Sequence, residues 1–203
     1  MITQKYKPIL AIVLGGLIFG CAKKEVKPIP KIQGKKVLMI IASKNFRDEE
    51  LETPMSILKT QGARVTIASS SLDTATGMLG AKATPNILIT DVNVADYDAI
   101  IFVGGSGASE YWNDLTAHEI AKRAVEQNKI LCAICIAPVT LANAGVLEGR
   151  KATAWSSEKD KLELKGATYT GTSVQVDGNI ITANGPAAAK EFGETIVKAL
   201  AAK

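Results

Sequence analysis

Runs of apolar residues alternate along the chain with segments in which apolar residues recur every three or four positions. Buried strands are predicted at residues 36–42, 64–69, 98–103 and 129–135. Helices are predicted between them, over residues 48–61 and 114–128. Near-continuous apolar strands that are separated by helices indicate a parallel sheet with helices on both faces. The pattern therefore predicts an α/β domain with three layers.

The last third of the chain carries further turn and helix signals. Asp177-Gly178-Asn179 separates two apolar segments, which predicts a β-hairpin with strands at 174–176 and 180–183. Short helices are predicted over 138–144 and 156–165, a short strand over 151–154 and a final helix over 187–202. Residues 72–94 alternate only weakly around glycines and a proline, and predict a hairpin or an excursion at the edge of the sheet.

Cys135 ends the apolar run 129–135 and precedes a short apolar stretch that reaches Pro138. This predicts a buried strand that turns sharply into a helix, with a thiol at the corner. Ala133 and Ala137 flank the corner, and a nucleophile elbow needs small residues there because its strained turn brings backbone segments close together. Free N–H groups at a helix N-terminus would stabilise the thiolate. The same cysteine could instead be a core residue, and the local sequence leaves both interpretations open.

The chain has three cysteines and one histidine. Cys132 and Cys135 form a C-x-x-C pair, but residues three apart in an extended strand lie about 10 Å apart, beyond the span of a disulfide. No second C-x-x-C exists, and His118 is the only histidine, so we expect no metal site and no metal cofactor. Cys132 is predicted to lie in the core.

Charge is distributed unevenly along the chain. The net charge of +4 conceals eight lysines and one glutamate in residues 1–36, and 16 basic against 19 acidic residues in the remainder. A mildly acidic domain does not have the basic surface that nucleic-acid binding requires. We therefore expect no nucleic-acid partner, and we assign the basic excess to a leader and a tether that precede the domain at residues 36–203.

Residues 1–20 have the character of a secretory signal peptide. Lys5 and Lys7 precede an apolar stretch without charge that is too short to span a bilayer comfortably as a helix. The stretch ends Leu-Ile-Phe-Gly-Cys, which resembles the lipobox of bacterial lipoproteins and makes Cys21 the lipidated residue. Residues 21–35 are then a lipidated cysteine with a flexible tether. We expect a membrane-anchored lipoprotein on the periplasmic face or cell surface; an uncleaved N-terminal anchor is the alternative.

Three chain segments are predicted to meet at the carboxyl ends of the parallel strands, where open α/β sheets bind ligands. These are the acidic segment after the first strand, the glycine cluster at residues 104–107 after the third, and Cys135 after the fourth. The glycine cluster lacks the order of a dinucleotide fingerprint and the Gly-Lys-Ser/Thr of a phosphate loop. It could place backbone N–H groups beside the thiol as an oxyanion hole, or it could be only a tight turn.

These segments together resemble the DJ-1/PfpI superfamily. The resemblance is carried by EELET (49–53), FVGGSGASEYW (102–112), AICIAP (133–138) and DGNIITANGPAAAKEFG (177–193), and it covers residues 36–202. It implies a flavodoxin-like three-layer sandwich with a mostly parallel central sheet and a nucleophile elbow. It also implies homodimerisation, for which the sequence itself has no sign.

The resemblance also implies roles for individual residues. It makes Cys135 the nucleophile or oxidisable thiol and places the carboxyl of Glu52 beside the sulfur. Gly105 and Ile136 would supply backbone N–H groups near that sulfur. A buried glutamate next to a thiol would have a raised pKa and could move a proton. In the absence of the resemblance, Glu52 would be interpreted as part of a solvated acidic helix face.

Two departures from the family pattern restrict the function. Protease-like and amidase-like members place a histidine directly after the cysteine, where this chain has Ile136. Other members supply a histidine from the strand that follows the elbow helix, and that position is Trp155 here, which would line the pocket. His118 is predicted to lie on a helix away from the site. Without a general base for a Cys-His pair, peptidase or amidotransferase-like activity is the least favoured function.

The favoured hypothesis is cofactor-free chemistry of the glyoxalase or deglycase type on a small reactive carbonyl, with Cys135 as nucleophile and Glu52 as the proton carrier. The alternative is a non-catalytic oxidative-stress sensor, or a chaperone-like role, in which an oxidant converts Cys135 to a sulfinic acid. A tethered binding module with a vestigial site is a further interpretation, which Trp155 over the thiol would favour.

Overall fold

The computed structural model describes residues 1–3 and 28–203. The predicted lipidation site Cys21 and all but the first three residues of the predicted signal peptide lie outside these ranges. In the part of the chain that is described, no helix is long and apolar enough to cross a bilayer.

A seven-stranded sheet forms the middle layer of the domain. The strands along the chain are β1 (Lys36–Ile40), β2 (Lys44–Phe46), β3 (Arg64–Ser69), β4 (Ala75–Gly77), β5 (Lys82–Ala83), β6 (Ile87–Leu88), β7 (Ala99–Phe102), β8 (Ile130–Ile134), β9 (Lys151–Ala152), β10 (Thr168–Tyr169), β11 (Val174–Asp177) and β12 (Ile180–Ala183). The order in the large sheet is β11-β12-β8-β7-β1-β3-β6. All of its pairings are parallel except that between β11 and β12, so the predicted mostly parallel sheet and its terminal hairpin are confirmed.

In the described part of the chain, five α-helices cover the sheet. They are α1 (Asp48–Thr60), α2 (Leu115–Glu126), α3 (Pro138–Asn143), α4 (Lys159–Leu164) and α5 (Ala189–Ala201). One apolar core lies between the sheet and α1 with α5, and a second lies between the sheet and α2, α3 and α4. The strands β1, β7 and β8 are buried from both sides, which explains why they are apolar at almost every position. The three-layer α/β sandwich is therefore confirmed.

The predicted elements agree with the structure except near their ends. The strand at residues 64–69 has the predicted bounds. The other three long strands are each two residues shorter than predicted, at the carboxyl end of β1 and at both ends of β7 and β8. Asp114 caps α2, since its side chain accepts the Ala117 N–H at 2.7 Å. The predicted helix at 156–165 is a 3₁₀ turn (Ser156–Glu158) followed by α4.

The weakly patterned residues 72–94 form an excursion beside the main sheet. There β4 and β5 form an antiparallel pair, and β4 also pairs with β2, a short strand that the apolar pattern did not predict. The carboxylate of Asp48, at the start of α1, accepts the N–H groups of Leu79 at 2.9 Å and Ala81 at 2.7 Å. Asp48 therefore holds the tip of this excursion, including Met78, against the domain.

Replacing Asp48 tests this attachment. Asp48→Ala leaves the Leu79 and Ala81 N–H groups without their charged acceptor, and we expect the free energy of unfolding to fall by about 1–2 kcal/mol at pH 7. Burial opposes ionisation of Asp48, but the hydrogen bonds from Leu79 and Ala81 outweigh it and lower its pKa. A group with a lowered pKa stabilises the fold above its unfolded pKa and loses that effect as pH falls.

The loss of unfolding free energy caused by Asp48→Ala should therefore be smaller in acid. Urea unfolding at pH 7 and pH 3 measures this difference. Asp91→Ala, at an exposed carboxylate, is the control and should stay within about 0.5 kcal/mol of the wild type. A deficit that is the same at both pH values would contradict the role given to the Asp48 charge.

Candidate active site

The carboxyl ends of β1, β7 and β8 meet at one edge of the sheet. The register places Ile40 of β1 beside Phe102 of β7, and Phe102 beside Ala133 of β8. The chain leaves β1 toward β3 on one side and returns to β7 on the other side, so β1 and β7 form the topological switch. This is where doubly wound sheets bind ligands. The acidic segment, the glycine cluster and Cys135 all follow these strand ends, as predicted.

Cys135 occupies a strained turn directly after β8. Its φ of 64° lies in the left-handed region, which is uncommon for a residue with a side chain and which often marks a functional site. The conformation is fixed from both sides, because the Cys135 N–H donates to Ala183 O at 2.9 Å and Cys135 O accepts the Trp155 N–H at 2.8 Å. The thiol residue retains 9% exposure. The nucleophile elbow is present, although α3 begins only at Pro138, so a short turn separates the thiol from the helix.

The carboxyl beside the sulfur belongs to Glu50, and the prediction of Glu52 is wrong. Glu50 is fully buried, whereas Glu52 is exposed and lies along a surface groove with Lys190. Two positions along an α-helix rotate a side chain by about 200°, so Glu50 and Glu52 cannot face the same site. The N-terminus of α1 is held in this orientation because the Arg47 N–H donates to Gly104 O at 2.9 Å.

Gly104 is required where the carboxyl and the thiol meet. A Cβ at this position would collide with Glu50 Oε2, with Cys135 Cβ at 2.5 Å and with Ile134 O at 2.7 Å. A glycine therefore leaves the space in which the two side chains approach each other. In the sequence, this requirement for glycine was visible only as the glycine cluster. The pattern alone could not distinguish the steric role of Gly104 from a tight turn.

Among the described residues, the backbone N–H groups of Gly105 and Ile136 lie beside the Cys135 side chain, as the family resemblance implied, and act to lower its pKa. Gly105 has a φ of 97°, and a Cβ there would overlap the backbone of residues 45–47. The glycine cluster thus supplies a donor near the thiol as well as a turn, and this pair of donors would face a negative charge that develops there.

Glu50 and Cys135 perturb each other's ionisation. Burial raises the pKa of Glu50 to about 8, and the neighbouring Cys135 thiol, Arg47 and the Gly104 N–H offset only part of this effect. Burial and the charge of an ionised Glu50 raise the pKa of Cys135 to about 12. Two adjacent buried groups resist carrying two negative charges. The pair therefore holds at least one proton around neutral pH, and the higher pKa of the thiol places that proton on the sulfur when Glu50 ionises.

A cavity of about 460 Å³ opens above Cys135. Its walls include Arg47, Met78, Trp112, Ile136 and Trp155. Trp155 thus lies where the sequence placed it, in the wall of the pocket. The lack of a histidine beside the thiol is also observed, because His118 Nε2 lies 2.8 Å from Trp112 O and does not line the cavity. Trp112, Met78 and Arg47 were not identified from the sequence.

Among residues 1–3 and 28–203, no group of three or more histidine, cysteine, aspartate or glutamate side chains is arranged to hold a metal ion. Cys132 is fully buried in the core, as predicted, and burial raises the pKa of its thiol. The reactive groups that the structure brings together at this site are Cys135, Glu50 and the N–H groups of Gly105 and Ile136.

Several known proteins are similar in sequence to this chain over most of its length. A Methanocaldococcus jannaschii protein, MJ0967, is 42% identical over 97% of this chain and 98% of its own length. The Pyrococcus horikoshii protein named deglycase PH1704 is 33% identical over 81% of this chain and 99% of its own length. The Caenorhabditis elegans protein named glutathione-independent glyoxalase DJR-1.2 is 29% identical over 82% of this chain and 89% of its own length.

A known crystal structure has a similar fold. The crystal structure of a ThiJ/PfpI domain protein from Brachyspira murdochii superimposes with a TM-score of 0.82 and 31% identity, covering 84% of this chain and 99% of that one. Residues 35–199 match the family described as the DJ-1/PfpI family. The chain belongs to the DJ-1/PfpI family.

Proposed function

We propose that this protein converts 2-oxoaldehydes to 2-hydroxy acids without a cofactor, with Cys135 as the nucleophile and Glu50 as the proton carrier. The observation that carries the proposal is the buried Glu50 carboxyl beside the sulfur, below a cavity that a small carbonyl compound can enter. Relatives named as a deglycase and as a glyoxalase support chemistry on reactive carbonyls.

The reaction begins with addition of sulfur to the aldehyde. The Cys135 sulfur forms a bond to the aldehyde carbon while its proton passes through the Glu50 carboxylate to the carbonyl oxygen, which gives a hemithioacetal and leaves Glu50 ionised. The N–H groups of Gly105 and Ile136 lower the pKa of the thiol and so favour loss of its proton. A substrate in the cavity can reach Cys135 because Cys135 forms part of the cavity wall.

Proton transfer between the two substrate carbons follows. Ionised Glu50 removes the hydrogen of the former aldehyde carbon as a proton and returns it to the adjacent carbon of the resulting enediolate. The hydroxyl proton moves to the former ketone oxygen, which gives a thioester. Water then cleaves the thioester, which releases the hydroxy acid and returns the thiol. The aldehyde carbon is oxidised and the ketone carbon is reduced, so the sequence consumes only water.

The raised pKa of Glu50 suits this role. A proton carrier acts best when its pKa lies near the working pH, because both its acid and its base forms are then accessible. A solvated glutamate would be almost entirely ionised at pH 7, whereas burial brings the pKa of Glu50 to about 8. Glu52, two positions along the same helix, is exposed and away from the sulfur, so it provides a matched control.

Substitution of each glutamate tests the proposal. With methylglyoxal as substrate, Glu50→Gln should lower kcat/KM by about 10²–10⁴-fold because the amide cannot move protons. Glu52→Gln should remain within about twofold of the wild type, and Cys135→Ser should form no lactate above background. Lactate formation by the purified full-length chain is the measurement. Equal activity in the Glu50→Gln and Glu52→Gln variants would eliminate Glu50 as the proton carrier.

The buried carboxyl also predicts a pH dependence of stability. The folded pKa of Glu50, about 8, exceeds its ordinary value of 4.5. The stability that comes from its protonated form is therefore complete below about pH 4.5 and is lost as pH rises through 8. We expect Tm to fall between pH 5 and pH 8.5 in the wild type and in Glu52→Gln, and to fall less in Glu50→Gln. A drop of equal size in all three proteins would show that Glu50 is not the group responsible.

A second candidate function is oxidation of Cys135 to a sulfinic acid. It is favoured by the same N–H donors and by a Glu50 carboxyl that can donate a hydrogen bond to the new oxygens. Mild peroxide should add two oxygen atoms to the protein by intact mass, at Cys135 and not at fully buried Cys132, and Cys135→Ser should remain unmodified. An unchanged mass in the wild type would exclude this function.

Membrane attachment through Cys21 and homodimerisation stay predictions from the sequence. The lipid anchor would place the reaction at a membrane surface outside the cytoplasm, on the periplasmic face or the cell surface. Peptidase activity is the least favoured function, because no histidine lines the cavity in the described structure.

A further inference from the structure

Two tryptophans are attached to the backbone on either side of the elbow. The Trp155 N–H donates to Cys135 O at 2.8 Å. The Trp112 indole Nε1–H donates to Ile136 O at 3.1 Å. Both side chains line the cavity above the sulfur. These hydrogen bonds link the Trp155 backbone and the Trp112 indole to consecutive carbonyl groups of the elbow.

Further contacts immobilise each ring. A Cβ on Gly185 would lie 2.8 Å from Trp155 Cε3, so the edge of this ring packs directly against the Gly185 backbone. The backbone of Trp112 is held as well, because its carbonyl accepts the Asn143 side-chain N–H at 2.8 Å. Lys161 Nζ lies 5.0 Å from the centre of the Trp112 ring. Trp155 nevertheless remains 47% exposed, which leaves ring surface available to a ligand.

The remaining cavity wall is mainly apolar. Met78, Ile136 and Pro186 contribute apolar surface, and three serine residues are among the polar residues of the wall. Among the described residues, Arg47 is the one basic or acidic side chain in the wall, and its guanidinium is paired with the Glu49 carboxylate, with contacts of 2.8 Å and 3.0 Å. An uncharged, apolar substituent is therefore the group that this wall accommodates best.

The cavity is also larger than a three-carbon substrate needs. Its volume of about 460 Å³ falls in the range of sites that enclose ligands of many heavy atoms, roughly 300–1,000 Å³. A methyl group on the reacting carbonyl would be too small to contact both tryptophan rings. A planar aromatic substituent would contact them and would remove apolar surface from water.

We propose that the preferred substrates are 2-oxoaldehydes that carry an aromatic substituent, with Trp155 as the residue that determines this preference. The inference rests on the proposed function and names its substrate class. The balance of the reaction is unchanged: phenylglyoxal and water give mandelate, with the aldehyde carbon oxidised and the ketone carbon reduced.

The test compares phenylglyoxal with methylglyoxal in the full-length chain. The wild type should show kcat/KM about tenfold or more higher for phenylglyoxal, as expected for an added apolar group in a fitted pocket. Trp155→Ala should lower this ratio about fivefold to tenfold, and Trp155→Phe should retain most of it. Leu164→Ala, which removes an exposed apolar side chain outside the cavity wall, should leave the ratio unchanged. Equal values for the two substrates in the wild type, or a ratio insensitive to Trp155→Ala, would overturn the proposal.

Binding without turnover separates this inference from the proposed function. Acetophenone has the aryl ketone but no aldehyde, and saturation-transfer NMR should show that it binds the wild type and Trp155→Phe more strongly than Trp155→Ala. Acetone should bind weakly to all three. If acetophenone binds as expected while neither oxoaldehyde is converted, the proposed reaction fails and the aromatic site stands. If acetophenone does not bind the wild type, the aromatic site is disproved even when methylglyoxal is converted.

Discussion

The contact between the Glu50 carboxyl and the Cys135 sulfur is the interaction on which the candidate site depends. It places two ionisable groups in a buried space that tolerates one negative charge far better than two. A carboxyl that would be ionised in water therefore retains a proton near neutral pH. Because the proton is held beside a potential nucleophile, the pair combines the two properties that addition to a carbonyl needs, a sulfur that can ionise and an acid that can protonate oxygen.

The surrounding fold maintains this contact through backbone geometry. Gly104 leaves the space between the two side chains, and its carbonyl accepts the Arg47 N–H and so orients the first turn of α1. Cys135 is held in a left-handed conformation by hydrogen bonds to Ala183 and Trp155. Such strain persists only where neighbouring structure determines the conformation. The parallel sheet is the common support, since each of these residues follows the end of a strand or lies in a loop beside one.

The wall of the cavity combines parts from distant regions of the sequence. Met78 arrives on the excursion that Asp48 holds in place, Trp112 comes from the segment after the glycine cluster, and Trp155 follows the elbow helix. The two tryptophans are bonded to the elbow itself. The reacting sulfur and the surface that would select its substrate are therefore linked through the backbone of the elbow.

The sequence by itself determined the layers, the order of strands and helices, and the corner at Cys135, because apolar periodicity and small residues act locally. It also indicated the donors at Gly105 and Ile136 and the position of Trp155 through the family resemblance. Only the tertiary structure decided that Glu50, and not Glu52, meets the sulfur. A run of acidic residues at the start of a helix has no apolar periodicity of its own, so the rotation of α1 against the sheet and the Arg47–Gly104 hydrogen bond select the residue that is buried. Trp112 and Met78 likewise acquire their place in the cavity wall only through long-range packing, which no local pattern encodes.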